Sequence, residues 1–75
     1  VCEKDGIRWA VQAKRWTKRV GNRAVQEVLG GMRYYSCSHG MVVTTSAFTG
    51  SAVELARKDG SITLHDRSWL AEQIK

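Results

Sequence analysis

Seventy-five residues, twelve of them Lys or Arg against seven Asp or Glu, leave room for one domain at most, with a core close to the smallest that folds unaided. Two cysteines exclude a disulfide scaffold, and Cys2, Cys37, His39 and His65 lack the paired spacings of a zinc site, so two free thiols in a reducing, cytoplasmic compartment are expected. No apolar run approaches the roughly 18 residues of a membrane span, and no signal peptide is visible.

Val1 to Lys4 reads as a short strand, and Asp5-Gly6 is a hairpin turn signal. From Ile7 to Lys14 the chain alternates. Ile7, Trp9, Val11 and Ala13 share one face; Arg8, Ala10, Gln12 and Lys14 share the other. A period of two is the mark of a half-buried strand. The apolar row is expected to face the core, which leaves Gln12 and Lys14 on the open side.

Arg15 to Gly21 reads as a loop, and the excess charge is concentrated around it. Residues 1–25 hold seven basic and two acidic side chains, whereas residues 26–75 hold five of each. Between Lys14 and Arg23 there are five basic residues (Lys14, Arg15, Lys18, Arg19 and Arg23) and no acid. Such a run is an electrostatic footprint for phosphate; a solvated surface loop is the plainer alternative.

Asn22 or Gly21 caps a helix running to about Tyr35, with Ala24, Val25, Val28, Leu29 and Met32 as its apolar stripe. Gly30-Gly31 weakens that helix by roughly 1 kcal/mol per Gly relative to Ala, and marks either close packing against a neighbouring backbone or a break. After a turn at Ser36 to Gly40, the β-branched run Met41 to Thr45 reads as a strand of a parallel sheet buried on both faces. A second helix starts near Ser51, which stands at capping-box spacing from Glu54. Ala52, Leu55 and Ala56 form its buried stripe, and Asp59-Gly60 ends it. Ser61 to His65 is a last strand, and Asp66 caps a final helix with Trp69, Leu70 and Ile74 inward. Strands separated by helices imply a parallel core, and the opening hairpin makes the sheet mixed, so the class is α/β. Trp9 and Trp69 are expected as core anchors, Tyr34 and Tyr35 as the closure of a hydrophobic seam, and His65 as an exposed strand residue. Ser51 has no His at a spacing that suggests a nucleophilic triad.

Gln12 and Lys14, two residues apart on one strand, hold their Cα atoms about 6.6 Å apart with side chains on the same face. A lysine there can hold a water or a phosphate oxygen, and a glutamine can offer its carbonyl oxygen to a metal. Polar residues on the open face of a strand are also ordinary.

The wider pattern is more specific. Val11-Gln12-Ala13-Lys14-Arg15-Trp16, then Val20-Gly21-Asn22 and Ala24-Val25-Gln26-Glu27, resembles the Mrr-type restriction endonuclease domain of the PD-(D/E)XK nuclease superfamily. The resemblance continues through Gly30-Gly31-Met32, Gly40-Met41-Val42-Val43-Thr44, Phe48-Thr49, Ala52, Ala56, Leu64-His65-Asp66-Arg67 and Leu70. It implies a restriction-endonuclease-like three-layer core, double-stranded DNA as partner and hydrolysis of phosphodiester bonds with a divalent metal, usually Mg²⁺. It implies Lys14 as the motif lysine, Gln12 at the position that is Glu in many of these nucleases, and Gln26 as a helix glutamine accompanying the site. Arg15 and Trp16 match the basic and aromatic positions after the motif, and Lys18, Arg19 and Arg23 extend the DNA-binding segment.

One departure from the pattern matters. The family aspartate belongs on a strand before the motif strand, and here only Glu3 and Asp5 are upstream, both beside the turn. Residues 1–75 therefore read as a partial domain, truncated at its N-terminus, that holds Mg²⁺ poorly and is inactive alone. An uncovered sheet face is expected to make it a homodimer, in which a partner could donate Glu27 or Asp66. A non-catalytic DNA-binding module and a structural dimerisation fragment are the alternatives.

Overall fold

The structure, a computed structural model, describes residues 2–15 and 17–73. Four strands and three helices follow one another among the described residues: β1 (Cys2–Lys4), β2 (Ile7–Lys14), α1 (Asn22–Tyr34), β3 (His39–Thr44), α2 (Gly50–Asp59), β4 (Ile62–His65) and α3 (Arg67–Gln73). The strands form one sheet in the order β1-β2-β3-β4. β1 is antiparallel to β2, while β2, β3 and β4 run parallel. This is the mixed α/β sheet expected of a restriction-endonuclease-like core. Among the described residues no helix is long and apolar enough to cross a membrane.

The turn at Asp5-Gly6 follows from its residues. Both take positive φ (54° and 80°), the geometry of a two-residue hairpin whose twist matches that of its strands. Lys4 then pairs with Ile7 and Glu3 with Arg8. The parallel pairs are joined by α1 and α2, which pack on one face of the sheet and against each other. Their buried residues Ala24, Val25, Val28, Ala52 and Ala56 meet Ala10, Val42 and Ile62 from the strands. On the opposite face α3 covers one end: Trp69 stacks on His65 with ring centroids 4.0 Å apart, and Leu70 shares a cavity with Ala13 and Val43.

The faces of β2 are the reverse of those expected. Ala10 is buried and Gln12 and Lys14 are half-buried beneath α1, whereas Ile7 and Val11 are 38% and 41% exposed on the other side. The cause is the close approach of α1. Ala10 pairs with Gly40, and a Cβ added to Gly40 would lie 2.5 Å from Val28 Cγ1 and 2.8 Å from Met32 Sδ. Only small residues fit there, so the bulky row of β2 takes the open face. β3 likewise buries Gly40, Val42 and Thr44 but leaves His39, Met41 and Val43 half-exposed, so it is fully covered on one face and not on both.

Other local expectations divide. α1 runs unbroken through Gly30-Gly31, and a Cβ would meet nothing within 4 Å at Gly30 and only the Ala10 Cβ, at an ordinary 3.9 Å, at Gly31, so neither a break nor close packing accounts for the pair. α2 is capped by Thr49, whose Oγ1 accepts from the Ala52 amide at 3.2 Å, and not by Ser51, which already lies inside the helix. Gly60 takes the left-handed conformation that ends α2, and Asp66 Oδ1 accepts from the Trp69 amide to cap α3. Trp9 stacks on His39 at 4.7 Å on the open face and is only half-buried. Tyr34 and Tyr35 close no seam; they are 81% and 48% exposed. Both cysteines are free thiols. Trp16 and Ile74 lie outside the described residues.

Candidate active site

The site lies in the seam between β2 and α1. β2 presents Gln12 and Lys14 towards the helix because its pleat puts alternate residues on one face, and Ala10 has already placed that face under α1. Across the seam stands Glu27. The Gln12 amide donates to Glu27 Oε2 at 3.1 Å, and Lys14 Nζ lies 3.6 Å from the same oxygen. Arg23, one turn earlier on α1, brings its Nε to 3.9 Å from Glu27 Oε1. The side chain of Lys14 is 18% exposed and that of Glu27 41%, so the pair is partly screened by solvent.

Glu27 separates two cavities. One of about 240 Å³ is lined by Lys14, Val20, Gly21, Arg23, Ala24 and Glu27. The other, of about 120 Å³, lies beside Gln12, Glu27, Gly31 and Tyr35. The basic loop rims the first. It is anchored by Val20, 1% exposed, which donates to the Ala47 carbonyl and accepts from the Thr49 amide. That anchor holds Lys18 and Arg19 at the surface just before it, with Arg15 exposed on the other side of the loop.

Gln26 does not join this group. It is exposed, and its neighbour Glu27 is the side chain that meets Gln12 and Lys14. The signal was present in the helix spacing. Ala24 and Val28 are buried, so Glu27 borders their stripe while Gln26 is turned away by a further 100° or so. The carboxylate that meets Gln12 and Lys14 thus comes from α1 of the same chain, downstream of β2. Glu3, opposite Arg8, stands roughly 13 Å along the strand from Gln12, too far to contribute. Among the described residues no group of three His, Cys, Asp or Glu is placed to hold a metal ion.

A strand lysine and glutamine thus converge on a helix carboxylate beside a basic rim, on a mixed α/β sheet. The Mrr catalytic-domain model, described as restriction endonuclease, matches residues 1–74, and the chain belongs to this family of Mrr-type endonuclease domains, whose members generally use a divalent metal. The chain is also similar to the type IV methyl-directed restriction enzyme EcoKMrr of Escherichia coli (strain K12), with 36% identity over 56 residues. That match covers 75% of this chain and 18% of the relative's length. No solved structure matches.

Proposed function

We propose that the chain supplies the phosphate-handling part of an endonuclease acting on double-stranded DNA, with Gln12, Lys14 and Glu27 at the scissile phosphodiester. The meeting of Gln12 and Lys14 on one carboxylate oxygen of Glu27 is the observation that carries this reading. Lys14 sits half-buried where its charge is less screened than at the surface, and it offsets charge developing on the phosphate. Glu27 positions Lys14 and Gln12 together. Arg15, Lys18, Arg19 and Arg23 hold the flanking phosphates and set the register of the duplex without reading its sequence.

Gln12 and Glu27 are the residues that would hold Mg²⁺. With its amide nitrogen on Glu27, Gln12 has its carbonyl oxygen to offer, and one carboxylate with one amide oxygen fits a hydrated ion shared with substrate phosphate. Such an ion, when bound, supplies an activated water and neutralises charge on the phosphate. It does not fit a closed protein cage, because Lys14 and Arg23 already face the two oxygens of Glu27 and compete with a cation. The same competition favours, as a second reading, a non-catalytic DNA-binding module.

The open sheet face around Ile7, Val11 and Ala13 supports a homodimer, and the free thiols suit a cytoplasmic setting. Light scattering that gives a compact monomer at micromolar concentration overturns the dimer. For the function, the test is a fluorescence titration of the folded chain with duplex DNA at ~50 mM salt. Binding that weakens steeply with added salt is expected; no binding overturns the reading.

A further inference from the structure

Four positions spaced by four residues, Arg23, Glu27 and Gly31 of α1 and Tyr35 at its C-cap, run along the side of the helix that overlooks β2. A cation, a carboxylate, a gap and an aromatic ring follow one another. Gly31 has no side chain to fill the gap, and Tyr35 closes the small cavity that Gln12 and Glu27 open. At a rise of 1.5 Å per residue, Tyr35 stands about 12 Å from Glu27, two to four nucleotides along one strand. The cavity, at about 120 Å³, is well below the roughly 300–1,000 Å³ of a cleft that encloses a whole small ligand. It has room for part of a nucleotide, and the remainder must lie outward, over the tyrosines.

The tyrosines are held ready for this. Tyr34 and Tyr35 meet edge to face, with centroids 4.8 Å apart and planes at 76°. The helix ends in a Schellman motif: Cys37 donates to the Met32 carbonyl at 2.8 Å and Ser36 to the Arg33 carbonyl at 3.4 Å. Ser36 occupies the left-handed position at φ 54°, where glycine is the usual residue. Met32 and Cys37 both pack against the core, which ties this helix end down. The backbone that carries the two large rings is thereby tied down, while the rings stay exposed, Tyr34 at 81%.

We infer that Tyr34 and Tyr35 form a stacking platform for an unpaired nucleobase of the strand whose phosphate lies at Lys14. The inference rests on the function proposed above. A base in an intact duplex has both faces stacked on its neighbours, so the platform favours DNA opened beside the site. Aromatic side chains bind single strands in this way without regard to sequence, and the basic loop on the other side of Glu27 supplies the phosphate contacts.

The test is a fluorescence anisotropy titration, in EDTA, of a labelled single strand and the corresponding duplex with the full chain and with Tyr35→Ala, Tyr35→Phe and Lys18→Ala. Tyr35→Ala is expected to weaken single-strand binding about tenfold and duplex binding by less than about twofold, with Tyr35→Phe close to the parent. Lys18→Ala should weaken both together. An unchanged single-strand affinity in Tyr35→Ala overturns the inference and leaves the DNA-handling reading standing. So does equal loss on both forms, or a shift of Tyr35→Ala from dimer to monomer at unchanged affinity, which makes the tyrosines an interface between copies. If the parent binds neither form, the function and the platform fall together.

Discussion

Gln12 and Lys14 share a single oxygen, Glu27 Oε2, although one donates an amide proton at 3.1 Å and the other presents an ammonium at 3.6 Å. Glu27 therefore acts in two opposed ways. It orders the strand residues, and it adds negative potential at the place where the proposed function puts a phosphate. In EDTA, Glu27→Gln is expected to bind duplex DNA several-fold more tightly at low salt, because a repelling charge is gone. Its stability should fall by no more than about 1 kcal/mol, since the carboxylate is 41% exposed. Mg²⁺ should narrow the difference in affinity. Weaker binding by Glu27→Gln in EDTA counts against Glu27 lying beside the bound phosphate.

The basic loop makes a second expectation quantitative. Each phosphate neutralised on B-DNA adds about 0.9 to the slope of log affinity against log salt, so three to five phosphates give a slope of roughly −3 to −4.5. Lys18 and Arg19 are exposed, and the Arg23 side chain is 93% exposed. The triple replacement by Ala should flatten the slope by roughly two to three, about one for each phosphate no longer neutralised, and leave the circular dichroism spectrum unchanged. A slope unaffected by the triple variant places the DNA-binding surface elsewhere.

Gly40 lies at the closest approach of α1 to the sheet. Its replacement by Ala drives a methyl group into Val28 and Met32 and to 3.2 Å from Ile62 Cγ1. The long Met32 side chain can give way, but Val28 on the packed helix cannot do so without moving α1. A loss of about 1–3 kcal/mol is expected, read as a lower urea midpoint. A domain of this size has little stability to spare, so partial unfolding at room temperature is consistent with the same cause.

The start of α2 separates two superficially similar residues. Thr49 precedes the helix and accepts the Ala52 amide, while Ser51 lies within the helix and is exposed. Thr49→Ala should cost about 1 kcal/mol. Ser51→Ala should stay within about 0.5 kcal/mol, with helix propensity on its side. Reversed magnitudes in chemical denaturation move the N-cap from Thr49 to Ser51.

Period and punctuation made most of the architecture legible. The Asp5-Gly6 hairpin, the three parallel strands and the Gly60 and Asp66 helix ends all follow from local residue chemistry. What alternation alone does not reveal is which face of β2 a helix covers, since both Ala10 and Val11 are apolar. That choice depends on Ala10 meeting Gly40 in register and on Val28 and Met32 lying close over Gly40, contacts far apart in sequence. The site depended on the same choice. Gln12 and Lys14 were visible as a strand pair, but Glu27 enters only once α1 is placed over that face, and Gln26, one residue away, is carried out to solvent. Ser51 and Glu54 have capping-box spacing, but the helix begins at Gly50 with Thr49 accepting from the Ala52 amide, so Ser51 is already inside it.

Cleavage requires a metal held firmly, a water placed on it and charge offset on the phosphate. In the proposed function Lys14 meets the third need. For the first, the site offers one carboxylate and one amide oxygen, and the carboxylate is flanked at 3.6 Å by Lys14 and at 3.9 Å by Arg23. Mg²⁺ gives up its waters reluctantly and needs near-octahedral oxygen ligation, so a donor set this small in competition with two cations should hold it weakly. Plasmid nicking in Mg²⁺ or Mn²⁺ is therefore expected to stay at background, and to be equal for the parent chain, Lys14→Ala and Glu27→Gln purified alike, with EDTA controls. Metal-dependent nicking that vanishes in Lys14→Ala and in Glu27→Gln overturns this expectation. It shows that the single carboxylate suffices once DNA phosphate shares the ion, or that a second chain completes the coordination. Nicking that survives both variants has another source than the seam between β2 and α1.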